Sequence, residues 1–256
     1  MNCEKVNKYF RRIGMSDFTA ETAVPGSELL RKLQFAHVTS VPYENIDILT
    51  GKPLPLEPKA LFEKIVENGR GGYCFELNCL FSWLLSELGY KVKNHMARYL
   101  RGEEGIPMRR HRVMTVILPE GRFLCDVGVG DSAARWPVML GGTVSEQFGE
   151  SYRIEHEDFF GNVLYDLHNG KWRRQFSFTE EEQLDIDYVM PSYYCENHSD
   201  SIFKKTYMIS IKTASGRMTI DGMKARVFDR QNVVETELKS GEELYLLLKE
   251  RFGITL

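Results

Sequence analysis

The chain has 256 residues, 43% of them hydrophobic and 12% aromatic, which is ample for a sizeable buried core and excludes a disordered polypeptide. With 33 Lys and Arg against 36 Asp and Glu, the formal net charge is −3 and no long Lys/Arg block interrupts it, so neither DNA nor RNA is an expected partner. The five cysteines, Cys3, Cys74, Cys79, Cys125 and Cys195, show no paired disulfide spacing, and Met1-Asn2-Cys3-Glu4-Lys5 leads into charges where a secretory signal would be apolar, which together predict a soluble protein of the reducing cytoplasm.

Helical periods come first, over residues 3–12, 27–39, 58–67 and 74–88. In the last of these, Leu77, Leu80, Phe81, Leu84, Leu85 and Leu88 recur at helical spacing, and Phe75, Cys79 and Trp83 carry the apolar surface nearly all round, as a central helix requires. Its most apolar run, residues 80–85, is interrupted by Ser82 and falls far short of a membrane span. After Tyr90 the pattern turns to strands, over 92–100, 111–118, 123–127, 152–157, 163–167 and 172–178, broken by Gly- and Asn-containing turns. Residues 180–194 read as a link, acidic at first and then rich in Pro, Ser and Tyr. Beyond it Tyr207, Ile209 and Ile211, followed by Met218 and Ile220, predict a hairpin, and the capping box Ser240-Gly241-Glu242-Glu243 opens a closing helix with Leu244, Leu247, Leu248 and Phe252 on one side. The class is α+β, with a helical part over 1–90, a β-rich part over 91–180, and a linker with a mixed α/β end over 181–256.

Arg70-Gly71-Gly72-Tyr73-Cys74-Phe75-Glu76-Leu77-Asn78 sets a thiol directly after two glycines and at the start of the apolar helix. Unpaired N–H groups and the positive end of the helix dipole favour thiolate there, and the glycines allow close approach. A cysteine nucleophile needs a base and an orienting group. His111 opens one strand, Asp126 ends the next, and the short connector Pro119-Glu120-Gly121 makes a hairpin that brings Asp126 within one side-chain layer of His111. Asp131 is the rival carboxylate, but it falls after the turn. Glu76 and Asn78 need hydrogen-bond partners on so apolar a helix, and Arg70 is the expected partner of Glu76. The remaining cysteines read as inert core thiols, and His37, His95, His156, His168 and His198 as structural. Cys74 and Cys79 lack the spacing of a zinc pair, so no metal or prosthetic group is expected.

The stretch from Arg70 to Asn78 resembles the nucleophile motif of the arylamine N-acetyltransferases, Arg-Gly-Gly-x-Cys-x-Glu-x-Asn. Four further segments are similar to that family in the same order: Tyr9-Phe10-Arg11-Arg12-Ile13-Gly14; His37 with Val41-Pro42-Tyr43-Glu44-Asn45-Ile46-Asp47; Asp126-Val127-Gly128-Val129-Gly130; and Ser215-Gly216-Arg217-Met218-Thr219-Ile220. The resemblance implies a cysteine-protease-like catalytic core, a barrel-like middle and an α/β C-terminal lid. It also implies a triad of Cys74, His111 and Asp126 that passes an acetyl group from acetyl-CoA, as co-substrate, to an arylamine or arylhydrazine in a ping-pong order, an activity of xenobiotic metabolism. On the same footing Gly128, Gly130, Ser132 and Arg109, the last with Arg110 and Arg112, are candidate coenzyme A contacts, and Tyr43, Tyr73 and Val129 candidate acceptor contacts. The N–H groups near Tyr73 and Cys74 are candidate oxyanion donors. Where the family commonly has an aromatic ring this chain has Val129, which predicts a roomier acceptor site. An amide synthase with another thioester donor, a thiol hydrolase or transglutaminase-like enzyme, and a non-enzymatic binding protein are the alternatives, and a homo-oligomer is left open.

Overall fold

The computed structural model describes residues 2–230 and 232–256, so Met1 of the leader reading lies outside the described residues. Its opening part is helical: α1 (Cys3–Arg12), α2 (Ser27–Ser40), the single turn α3 (Ile46–Leu49), α4 (Pro58–Phe62) continuing as a π-helix over Glu63–Glu67, and α5 (Cys74–Glu87). Pro58 stands in the first turn of α4, where its missing N–H leaves no bond unmade. Every residue of α5 from Cys74 to Ser82 is buried, together with Leu84 and Leu85, as the all-round apolar pattern predicts. Leu77, Leu80, Phe81, Leu84 and Leu85 are 0% exposed, and each contributes roughly 2 kcal/mol of apolar burial.

Eight strands make one antiparallel sheet: β1 (Lys91–Tyr99), β2 (Arg109–Leu118), β3 (Gly121–Cys125), β4 (Val138–Met139), β5 (Ser145–Gln147), β6 (Glu150–Glu157), β7 (Gly161–His168) and β8 (Lys171–Phe178). Their spatial order is β4-β3-β2-β1-β8-β7-β6-β5, and β4 near one edge packs on β6 near the other, so the sheet curls into a nearly closed barrel. The turns follow local chemistry. Asn169 and Gly170 take positive φ (49° and 73°) between His168 and Lys171, the two-residue reversal that suits a twisted hairpin. One apolar cluster lies between the helices and β2–β3, including Leu77, Leu80 and Phe81 with Met114, Val116 and Phe123; a second fills the barrel around Leu124, Ile154, Leu164 and Phe176.

Residues 180–194 depart from the expected link. A 3₁₀ turn (Asp185–Tyr188) runs into α6 (Val189–Asn197), which Pro191 permits because it falls within the first turn, before any helical N–H is needed. Tyr188 and Cys195 anchor the segment in the core. The expected hairpin is also only half of its sheet. β9 (Met208–Lys212) and β10 (Gly216–Asp221) are joined by β11 (Lys224–Asp229) and β12 (Asn232–Glu237) in the order β12-β11-β10-β9. β12 is exposed along its length and carries no period-2 apolar face to read. α7 (Gly241–Phe252) closes the chain, capped by the Ser240 side chain on Glu243 N–H and ended by Gly253 in the left-handed region. No helix of the described residues is long and apolar enough to cross a membrane.

His37 illustrates how tightly the helical part is sealed. The Tyr9 hydroxyl meets its Nδ1 at 2.7 Å, Phe81 packs edge-on against the ring, and burial, with Arg12 adding to it, lowers its pKa to about 3. Since the folded chain binds fewer protons than the unfolded one between about pH 6.5 and 3, this contribution to stability is complete above the unfolded value and is lost as pH falls. Replacing His37 by Asn should flatten the acid limb of unfolding free energy against pH by up to ~1.4 kcal/mol per pH unit between pH 6 and 4. Denaturant titrations across that range measure the slope, and an unchanged slope would refute the assignment.

Candidate active site

Cys74 is the first residue of α5, and the backbone leading to it is held by both hydrogen bonds and charge. Glu44 N–H donates to the Gly72 carbonyl (2.9 Å) and Gly72 N–H to that of Pro42 (3.3 Å). A Cβ on Gly71 would lie 2.1 Å from the Pro42 oxygen, so only glycine fits. Below this junction Arg70 binds Glu44 (2.7 Å) and Asp47 (3.0 Å), while Lys64, from the π-helix, binds Asp47 and Glu76 (2.7 Å each). The expected Arg70–Glu76 pair is therefore replaced. Glu76 points to Lys64 on the neighbouring helix, and its other oxygen accepts the Tyr73 N–H at 3.0 Å, which removes that N–H from the candidate oxyanion donors.

The register of β2 on β3 pairs Met114 with Cys125, so Asp126 leaves β3 beside the start of β2, where His111 Nε2 meets its Oδ2 at 2.7 Å. Asn78 organises this corner from α5. Its amide donates to the Arg112 carbonyl (2.6 Å) and to Asp126 Oδ1 (2.8 Å), and its oxygen accepts the Val127 N–H (2.9 Å). Gly128 N–H adds a bond to Asp126 Oδ1 (2.8 Å), and a Cβ on Gly128 would stand 2.7 Å from the Cα of Cys74. The loop after Asp126 thus lies directly against the Cys74 backbone. Asp131, the rival carboxylate, pairs with Arg217 at 3.2 Å.

Cys74 and His111 open into one cavity of about 620 Å³, bounded by the helical part, the barrel and the small sheet. Tyr43, Gly128, Val129 and Gly130 line it as well. Three expected contacts lie elsewhere. The Tyr73 side chain packs against Phe75 and Phe203 and bonds the Ser192 hydroxyl, Ser132 takes a bond from Arg101 (2.6 Å), and Arg109 faces Glu181 (3.7 Å). None of the three lines the cavity, since each side chain is engaged by these neighbours. Arg112 is likewise buried, stacked 4.2 Å over the Tyr188 ring, so of the arginines around His111 only Arg110 reaches the cavity. Tyr99, Arg101, Phe203, Met208, Ser210 and Phe228 complete walls that no local pattern announced, since they come from strands and turns far apart in the chain.

Burial pushes the Cys74 thiol well above its ordinary pKa, with Cys195 and Asp126 adding to the effect, while the N–H groups of Arg112 and Phe75 favour thiolate. The helix end acts in the direction the sequence suggests, and burial is the larger influence. A thiol held this way ionises when a base takes its proton. With Nε2 bound to Asp126, the nitrogen of His111 left for that task is Nδ1. Arrangements of this kind attack thioesters, esters and amides. Among the described residues no group of three or more His, Cys, Asp or Glu could hold a metal ion.

The pattern of the N-acetyltransferase family matches residues 28–256. The chain is 32% identical to the arylamine N-acetyltransferase of Mycolicibacterium smegmatis, over 97% of its own length and 91% of that relative's. In three dimensions it is similar to the arylamine N-acetyltransferase of M. tuberculosis (TM-score 0.89, 32% identity, 97% of this chain and 92% of that one). It is also similar to Mycobacterium marinum arylamine N-acetyltransferase in complex with CoA (TM-score 0.90, 29% identity, 97% and 92%).

Replacing Asn78 by Ala takes a partner from a buried carbonyl, from an N–H and from an Asp126 oxygen that keeps only its bond from Gly128 N–H. We expect a loss of roughly 2–4 kcal/mol in denaturant unfolding and a larger proportional loss of activity. A variant within ~1 kcal/mol of the parent would show that Asp126 is held by other groups.

Proposed function

The chain belongs to the arylamine N-acetyltransferase family, and from that premise we propose that Cys74, His111 and Asp126 are the nucleophile, the base and the orienting carboxylate of its reaction. That reaction is the acetyl-CoA-dependent N-acetylation of arylamines. The observation that carries the assignment is the His111–Asp126 bond of 2.7 Å at the wall of the cavity that also holds Cys74. His111 Nδ1 takes the thiol proton, and the Asp126 carboxylate, fixed by Asn78 and by Gly128 N–H, stabilises the imidazolium that results. The Cys74 thiolate adds to the carbonyl carbon of the acetyl thioester. Collapse of the tetrahedral intermediate expels coenzyme A, which takes the proton from His111. An arylamine nitrogen then attacks acetyl-Cys74, His111 removes its proton, and the amide leaves as Cys74 returns to thiolate. Arylamines suit this second step because their low basicity keeps the nitrogen unprotonated at neutral pH.

Gly128, Gly130 and Arg110 are the proposed coenzyme A contacts, the glycines because a chain can pass close to their backbone and Arg110 because a guanidinium suits phosphate. Tyr43 and Val129 form the proposed acceptor wall. All five cysteines are free thiols, which supports a cytoplasmic setting.

Incubation with acetyl-CoA alone should add one acetyl group to the parent protein and none to Cys74→Ala, by intact mass, and an arylamine should discharge it. Discharge by water at the same rate would favour a thiol hydrolase, and labelling only by other acyl thioesters would favour an amide synthase. Asp126→Asn should keep the fold and lower kcat by roughly 10³–10⁴, since the amide no longer holds the imidazolium. Val129→Phe should narrow the range of accepted amines, with kcat/KM for bulky acceptors falling roughly 10-fold relative to small ones; an unchanged profile would remove Val129 from the acceptor wall.

A further inference from the structure

Tyr43 lines the cavity with Cys74, and the transfer steps leave its hydroxyl unused. Its N–H donates to the Ser210 carbonyl (2.8 Å) and its carbonyl accepts the Ser210 N–H (2.9 Å), while its other flank pairs in parallel with Gly72. Tyr43 is thereby fixed between the small sheet and the Gly71-Gly72 approach, two residues before the nucleophile. Its ring is wedged against Gly130, where a Cβ would come within 3.5 Å of ring carbons Cγ and Cδ1. Among the described residues no hydrogen bond engages its hydroxyl, although burial raises the phenol pKa well above its ordinary value and the nearness of Cys74 raises it further. The group therefore keeps its proton at neutral pH and shares a cavity wall with Cys74.

Donors for a developing oxyanion at Cys74 are few. The Tyr73 N–H is committed to Glu76, the Tyr73 hydroxyl bonds Ser192 away from the cavity, and the Asn78 amide is spent on Arg112 and Asp126. The Cys74 N–H, at the start of α5, remains. Building on Cys74 as the nucleophile, we propose that the Tyr43 hydroxyl is a catalytic hydrogen-bond donor to the oxyanion of the tetrahedral intermediate, acting together with the Cys74 N–H. As the carbon–sulfur bond to Cys74 forms, the carbonyl π pair moves onto oxygen, and Tyr43 donates to that oxygen while keeping its own proton. The π pair returns as the bond to the coenzyme A sulfur breaks, and the leaving thiolate takes the proton held on His111. Attack of the amine on acetyl-Cys74 passes through an intermediate with the same oxygen in the same place, so one donor serves both half-reactions.

The test is Tyr43→Phe, which removes the hydroxyl and no packed carbon, with three rates measured on the full chain: acetylation of Cys74 by acetyl-CoA, discharge to an arylamine, and alkylation of Cys74 by iodoacetamide. Alkylation at a saturated carbon creates no oxyanion. We expect both acyl rates to fall roughly 10²-fold and alkylation to stay within about twofold, with its pH profile unchanged. Acyl rates within about threefold of the parent would overturn the proposal. So would an equal fall in alkylation, which would mean that Tyr43 acts on thiol ionisation instead. A parallel Cys74→Ala sample separates the two readings: persistent acetylation there overturns the nucleophile itself, whereas its absence alongside an unaffected Tyr43→Phe overturns only the role of Tyr43.

Discussion

Asn78 lies in a helix buried on every side, where an unpaired amide would cost several kcal/mol, so whatever packs against α5 at that point must offer it two acceptors and a donor. The carbonyl of Arg112, the carboxylate of Asp126 and the N–H of Val127 meet that demand together. Meeting it ties the start of β2 and the end of β3 to the helix that carries Cys74. His111 precedes Arg112 and faces Asp126, so the Asn78 side chain ties both to the helix that carries Cys74. Gly128 completes the junction, since any larger residue would push the loop off the Cys74 backbone.

Charge is handled differently on the two sides of the nucleophile. On the approach side Arg70 and Lys64 are shared among Glu44, Asp47 and Glu76, a closed network in which each buried ion has a partner. Removing Arg70 would leave Glu44, and removing Lys64 would leave Glu76, without its cation, at a loss of about 3–5 kcal/mol. On the cavity side burial favours the neutral thiol, and His111 beside it is bonded to the Asp126 carboxylate, the pair proposed to take and stabilise its proton. The first arrangement holds geometry; the second allows a proton to move.

A third set of polar contacts ties the barrel to the small sheet. Arg135 reaches the carbonyls of Thr213 and Gly216 (2.9 and 2.6 Å) and shares Glu150 with Lys212, joining β6 to the turn between β9 and β10. The small sheet is thereby held at the cavity's edge, and through Ser210 it holds Tyr43 in turn. The site is a junction of elements whose contacts elsewhere are largely their own.

Local chemistry made much of this legible. The all-round apolar period of residues 74–88, the β-branched runs 111–118 and 123–127 and their short connector are nearest-neighbour properties, and with a two-residue hairpin they suffice to bring Asp126 to His111. The family-like segments added acetyl transfer, which no periodicity could supply. Residues 180–194 read as a link because proline and serine signal loops equally well when they occupy the first turn of a helix, and β12 leaves no pattern because an exposed strand has no buried face to print one. Which cation meets Glu76, and why Arg110 rather than Arg109 reaches the cavity, depend on how helix and strand rotate against their neighbours. Identity and spacing along the chain determined most of the elements, the setting of Cys74 at a helix start and the approach of Asp126 to His111. The walls of the cavity, the partners of its charges and the place of the Tyr43 hydroxyl were decided only by packing, because each is a contact between segments whose sequences carry no record of one another.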